Sequence, residues 1–242
     1  MSDNTISKKK AITQGLRDGF PIGLGYFAVS FSLGIFAKSV GCNAIQGIIN
    51  SFFNHASAGE YAVYSMIGVG ASYLEMAIMT LIVNARYLLM STALSQRIHP
   101  NTSFLHRLFI GFHVTDELFA ISINRPGFVN PFYCYGAFFI AVIGWCAGTA
   151  TGIIAGGILP ARLVSALSVA LYGMFLACIM PEARRHKIVA VLIIISFVLS
   201  YIANELSLFA AISSGTKTII LTVLIASVAA IVFPHPEVED DD

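Results

Sequence analysis

Residues Gly144 to Gly157 read GWCAGTATGIIAGG, and Gly144, Gly148, Gly152 and Gly156 recur within it every four residues. That interval returns to one face of an α-helix, so the glycines form a stripe without side chains. Between helices in a bilayer such a stripe is a packing seam, because a neighbouring backbone can approach closely. A glycine-lined pathway or a sliding surface is the functional alternative. A similar spacing, Gly15, Gly19 and Gly23, leads into the first apolar run, with Pro21 and Gly25 in the same stretch.

The composition fixes the solvent in which these helices sit. Of the 242 residues, 57% are hydrophobic and 11% charged, with a mean hydropathy of +0.79; soluble domains carry roughly a quarter charged residues. The expected fold is therefore all-α, a polytopic membrane helix bundle. A span needs on the order of 20 apolar residues, so the chain supplies about seven or eight membrane segments and leaves no room for a sizeable aqueous domain. A net charge of +1 gives no reason to expect nucleic acid. Cys42, Cys134, Cys146 and Cys178 lie singly, without the spacing of a zinc site, and read as small packing residues. No metal and no cofactor is expected. HExxH, GxSxG, P-loop and dinucleotide-binding signatures are missing, so the sequence does not read as an enzyme.

Charge-free runs place segments at about 20–40, a broken element at about 44–71, then about 72–95, 108–124, 132–158, 162–181, 187–204 and 214–233. Lys8, Lys9, Lys10 and Arg17 precede the first, which is too long for the core of a signal peptide. The short loop EARRHK, Glu182 to Lys187, is the strongest cytoplasmic marker. With the N-terminus on the same side, an even number of crossings separates them. Full spans throughout satisfy this, and so do two re-entrant segments at about 44–71 and 108–124. The expected division is a cytoplasmic tail over 1–18, a single transmembrane transporter domain over 19–234 and an acidic tail over 235–242, with both termini cytoplasmic.

Ionisable groups inside hydrocarbon cost at least about 2.5 to 3.5 kcal/mol each, so they are functional candidates. In NHASAGEYA, Asn54 to Ala62, His55 and Glu60 flank ASAG, where Gly59 and Ser57 favour a helix break that frees backbone groups. In Asn84-Ala85-Arg86, the arginine shares a helix face with Glu75 about three turns earlier. Arg86 then either flanks a polar pathway or snorkels to the interface. In HVTDE, His113 to Glu117, Thr115 or Asp116 is suited to cap a helix, yet the paired carboxylates stand between apolar runs. Glu205 reads as an interface residue.

GLRDGFPIGLGYFAVSFSLGIFAKSVG at 15–41, HASAGEYA at 55–62, VNARYLL at 83–89, HVTDELFAIS at 113–122 and the pattern of Trp145, Gly148, Thr149 and Gly152 come in one order. In that order the chain resembles the AzlC family, the large membrane subunit of branched-chain amino-acid exporters, from about Gly15 to Pro234. The resemblance places the family's N-x-R motif on Asn84 and Arg86 and its T-D-E motif on Thr115, Asp116 and Glu117. A glutamine common in the family falls on Glu60, and His55 stands where an apolar residue is common. The resemblance also implies a small, hydrophobic AzlD-type subunit as partner and a bacterial cytoplasmic membrane as location.

Together these readings give a secondary-active exporter of branched-chain amino acids or a related small solute, driven by H+ or Na+. Glu60 and the Asp116–Glu117 pair are the candidate proton- or ion-binding groups. Freed amides at Ser57 to Gly59, with Arg86, are candidates to hold a substrate carboxylate. In a sodium-coupled version Glu60, Asn84, Thr115 and Asp116 are cation ligands. A protonated Glu60 that mimics the family's amide is one alternative; a non-transporting scaffold that offers its glycine seams to a partner helix is another.

Overall fold

The computed structural model describes residues 7–160, 162–163, 166, 169, 173, 176, 179–181, 183–206, 212 and 214–233. Among them there are ten α-helices of defined extent and no strand. They are α1 Lys8–Ser39, α2 Ala44–Asn54, α3 Ser57–Gly68, α4 Tyr73–Val83, α5 Arg86–Gln96, α6 Phe104–Phe112, α7 Asp116–Ile123, α8 Pro131–Gly156, α9 Lys187–Glu205 and α10 Ser214–Val232. Three of these, α1, α8 and α9, are long and apolar enough to cross a membrane, and α4 with α5 makes a fourth such unit, bent by 47°. The segment expected at 162–181 lies largely outside the described residues.

Helices α1 and α8 form the spine, and their glycines mesh. A Cβ at Gly34 would stand 2.2 Å from the carbonyl oxygen of Thr149, and one at Gly148 would stand 2.4 Å from that of Phe27. No side chain fits at such a separation, so glycine is what allows the two backbones to touch. Contacts climb both helices together, from Gly15 with Tyr133 to Gly34 with Thr149, and the pair is therefore parallel. The expected start of the first helix near residue 20 is corrected to Lys8, because Ala11, Gly15 and Gly19 are buried on this seam.

The remaining contacts show how deep each half-helix reaches. The lower ends of α1 and α8 gather the basic residues: Lys8 lies over Phe132, Arg125 pairs with Asp18 at 3.4 Å, and Val129 N–H donates to Arg97 O. We refer to this as the basic end. At the far end Gly47 faces Ile153 and Gly68 faces Val40, while the residues between them descend to His55 beside Phe138. So α2 and α3 enter and leave by the far end as a re-entrant hairpin. Helices α6 and α7 do the same from the basic end: His106 meets Tyr135, His113 stacks on Phe138, and Arg125 returns to Asp18. Each hairpin thus begins and ends at one end of the bundle, the geometry of the re-entrant alternative.

Three further expectations change. The element at 72–95 is not one helix but breaks at Asn84–Ala85, where the Asn84 side chain turns to donate to Asn54 Oδ1 at 2.9 Å. That break removes the common helix face of Glu75 and Arg86. Glu75 instead completes a capping box with Ser72 and accepts from Thr216 Oγ1 at 2.6 Å. The first hairpin breaks at His55–Ala56, one step before Ser57, so Ser57 and Gly59 belong to the first turn of α3. Helix α10 starts beside Glu75 at the far end and packs along α9, which puts Lys187 at the basic end.

Candidate functional site

The three breaks meet inside the bundle. The His55 and His113 rings at the two hairpin tips lie 6.2 Å apart. The bent span touches both tips: Asn84 bonds Asn54 of the first, and Arg86 Nη2 pairs with Asp116 Oδ2 of the second at 2.7 Å. Each contact joins elements that are far apart in sequence, so the site exists only in the folded bundle.

Next to this junction is a cavity of about 400 Å³. One side is the Pro21, Ile22, Gly25, Tyr26 and Val29 face of α1, which turns away from the glycine seam. The hairpin tips supply His55, Ala56 and Ser57 from one end and Thr115, Asp116 and Glu117 from the other, with Tyr87 and Trp145 completing the wall. Helices α3 and α7 both begin here. Their first amides precede the first intrahelical bonds, Glu60 N–H to Ala56 O and Phe119 N–H to Thr115 O. Such a helix start favours an anion, through free N–H groups and the helix dipole.

Thr115 is both a cap and a site residue. Its hydroxyl accepts from Leu118 N–H at 3.3 Å and from the Tyr26 hydroxyl at 2.6 Å. The Tyr26 hydroxyl also lies 2.5 Å from Glu117 Oε2. Against the two carboxylates stands one guanidinium, that of Arg86, engaged with Asp116. The cavity thus combines a negative rim, two helix N-termini and an apolar floor.

Glu60 is near this cavity but does not line it. Its side chain is 0% exposed. Oε1 accepts from Ser51 at 2.7 Å and Tyr64 at 2.6 Å, with Thr149 at 3.4 Å, and Oε2 accepts from the Trp145 indole N–H at 2.5 Å. The indole, in turn, meets the Tyr26 ring edge-on at 4.9 Å. Gly59 and Asn84 also lie behind the wall, where a Cβ on Gly59 would collide with the Asn54 and Asn84 amides. Of the residues expected at the site, His55, Ser57, Thr115, Asp116 and Glu117 line the cavity and Arg86 joins them through Asp116; Gly59, Glu60 and Asn84 form the layer behind. Among the described residues no group of three or more metal-ligating side chains is clustered.

Sequence reasoning passed over Tyr26, Tyr87 and Trp145 as site residues. The available signal was local: a tyrosine one residue after Gly25, and the chain's single tryptophan placed between two glycines of the seam.

The AzlC protein family profile matches residues 21–159, which contain the whole cavity. An uncharacterized membrane protein of Archaeoglobus fulgidus is 28% identical over 78% of this chain and 84% of its own. The inner membrane protein YgaZ of Escherichia coli is 26% identical, covering 72% of this chain and 74% of its own. The branched-chain amino acid transport protein AzlC of Bacillus subtilis is 27% identical over 62% of this chain and 61% of its own. No solved structure matches.

Proposed function

The chain belongs to the AzlC family, and from that premise we propose that it is the large subunit of a secondary-active exporter of branched-chain amino acids or a related small organic solute. A role in membrane transport agrees with the name of the Bacillus subtilis relative. The observation that carries the finer reading is the cavity where three interrupted segments converge. Broken helices at mid-depth are tolerated where they line a cavity, and their termini suit small charged solutes. The free amides at the start of α3 receive the substrate carboxylate. Asp116 and Glu117 face its ammonium or the coupling ion, H+ or Na+, and Ile22, Val29 and Trp145 receive an apolar side chain.

The basic end faces the cytoplasm of a bacterial cell, following the positive-inside rule. Because Ala11 and Gly15 are already buried on the α1–α8 seam, the single transport domain begins near Lys8 rather than at 19, with the acidic segment at 235–242 after it. Arg86 and Asp116 retain 51% and 47% side-chain exposure, an arrangement costly against lipid and suited to a water-filled entrance or a covering subunit. The proposed complex includes a small AzlD-type subunit, which would cover that flank. The scaffold alternative loses its main support, because the glycine seam it would offer is occupied by the chain's own α8.

Proteoliposomes that contain this chain, with and without the small subunit, test the reading. The expected result is counterflow of L-leucine and L-valine that collapses when the proton gradient is removed or when sodium is replaced by choline. Absence of amino-acid flux in the complete complex under both gradients refutes it.

A further inference from the structure

Glu60 has four hydrogen-bond donors around it and no surface on the cavity. Three of them, on Ser51, Tyr64 and Thr149, are hydroxyls, which also accept; Ser51 Oγ lies 2.7 Å from Thr149 Oγ1 as well as from Glu60 Oε1, and its single proton serves one of the two at a time. The fourth is the indole N–H of Trp145, which can only donate. Ser51 and Thr149 can therefore satisfy each other without a carboxylate, whereas the Tyr64 hydroxyl donates to Oε1 and the indole, which cannot accept, depends on Oε2.

On the other side of the indole is the cavity. Trp145 lines it, is only 2% exposed, and presses edge-on against Tyr26, whose hydroxyl is held by Thr115 and Glu117. A continuous chain of contacts thus runs from Glu60 through Trp145 and Tyr26 to the carboxylate rim.

We propose that Glu60 is a positioning residue: it fixes the Trp145 indole as the cavity wall and so sets how tightly the site holds an apolar side chain, without touching substrate itself. The proposal rests on the reading of this cavity as the transport site. It implies that a glutamine would serve at the same place. A glutamine carbonyl turned toward Trp145 accepts the indole N–H, and its amide donates to the surrounding hydroxyls.

The single tryptophan makes the contact directly visible in the intact protein. Intrinsic emission reads the Glu60–Trp145 bond, and L-leucine uptake by the complete complex reads its consequence. In Glu60→Met the emission maximum moves to the blue as the indole loses its polar partner. Loss of one such bond shifts the wall's rotamer populations about fivefold, so KM for L-leucine rises by a similar factor with little change in kcat. Glu60→Gln stays close to wild type in both emission and KM. Trp145→Phe keeps an aromatic wall without the N–H, and adding Glu60→Met to it produces no further rise in KM. The proposal is overturned if Glu60→Met shifts emission but leaves KM unchanged, if Glu60→Gln is as damaging as Glu60→Met, or if the Glu60→Met effect persists in the Trp145→Phe background. Should wild type show no saturable L-leucine uptake, it is the assignment of the cavity that fails, while the emission series still reports the contact.

Discussion

Arg86 and Asp116 belong to two different breaks, and their 2.7 Å pair is the point where the bent span grips the second hairpin. Both side chains are about half exposed, so the pair does little for stability; exposed ion pairs contribute about 0.2–1 kcal/mol. Its importance lies in charge placement. Without Arg86, Asp116 and Glu117 face the cavity as two uncompensated carboxylates. Arg86→Ala is therefore expected to leave the thermal unfolding midpoint in detergent nearly unchanged while lowering L-leucine uptake at least about tenfold, a loss equivalent to about 1.4 kcal/mol. Exchanging the charges, Arg86→Asp with Asp116→Arg, restores part of the flux if the pair acts as a clamp. Uptake at wild-type level in Arg86→Ala would show that the clamp is dispensable.

Among the elements, the α1–α8 spine was the most legible part of the sequence, because a four-residue glycine interval has one geometric meaning in a helix. The same pattern conceals a difference in role. Gly34 abuts the backbone of α8, whereas a Cβ on Gly25 meets nothing within 4 Å and would stand at the cavity. Gly34→Ala should cost about 1–3 kcal/mol through forced separation of the helices, seen as a lower unfolding midpoint. Gly25→Ala should leave the midpoint unchanged and lower uptake of L-leucine more than that of L-alanine, by reducing room for the larger side chain. Equal midpoints for the two variants would remove the distinction. The breaks were less legible. His55–Ala56 was anticipated within one step from small residues, but Asn84–Ala85 was not, since it is fixed by a tertiary partner, Asn54, thirty positions away. Glu75 carried a readable signal, the Ser72-x-x-Glu75 capping box, which accounts for the residue without a shared face with Arg86. For Glu60, composition marked an acid in an apolar segment but could not tell which face of α3 meets Trp145.

At the scale of the whole molecule, two hairpins enter from opposite ends and meet at tips with similar sequences, His55-Ala56-Ser57 and His113-Val114-Thr115. Opposed hairpins whose tips share one cavity suit alternating access, because withdrawal of either tip opens the site toward its own end. The arrangement dictates a labelling pattern that full spans cannot produce. Ile45 and Val69, at the two ends of the first hairpin, are exposed at the far end, while Phe104 and Phe128, which bracket the second, are exposed at the basic end. In a cysteine-free background, Ile45→Cys and Val69→Cys should both react with a membrane-impermeant maleimide added to intact cells. Phe104→Cys and Phe128→Cys should both react only after permeabilisation. If α2–α3 crossed the membrane, Ile45 and Val69 would label from opposite sides; if α6–α7 crossed, Phe104 and Phe128 would do so. Matched labelling within each pair and opposite labelling between pairs is the result required for a site reached alternately from the two sides.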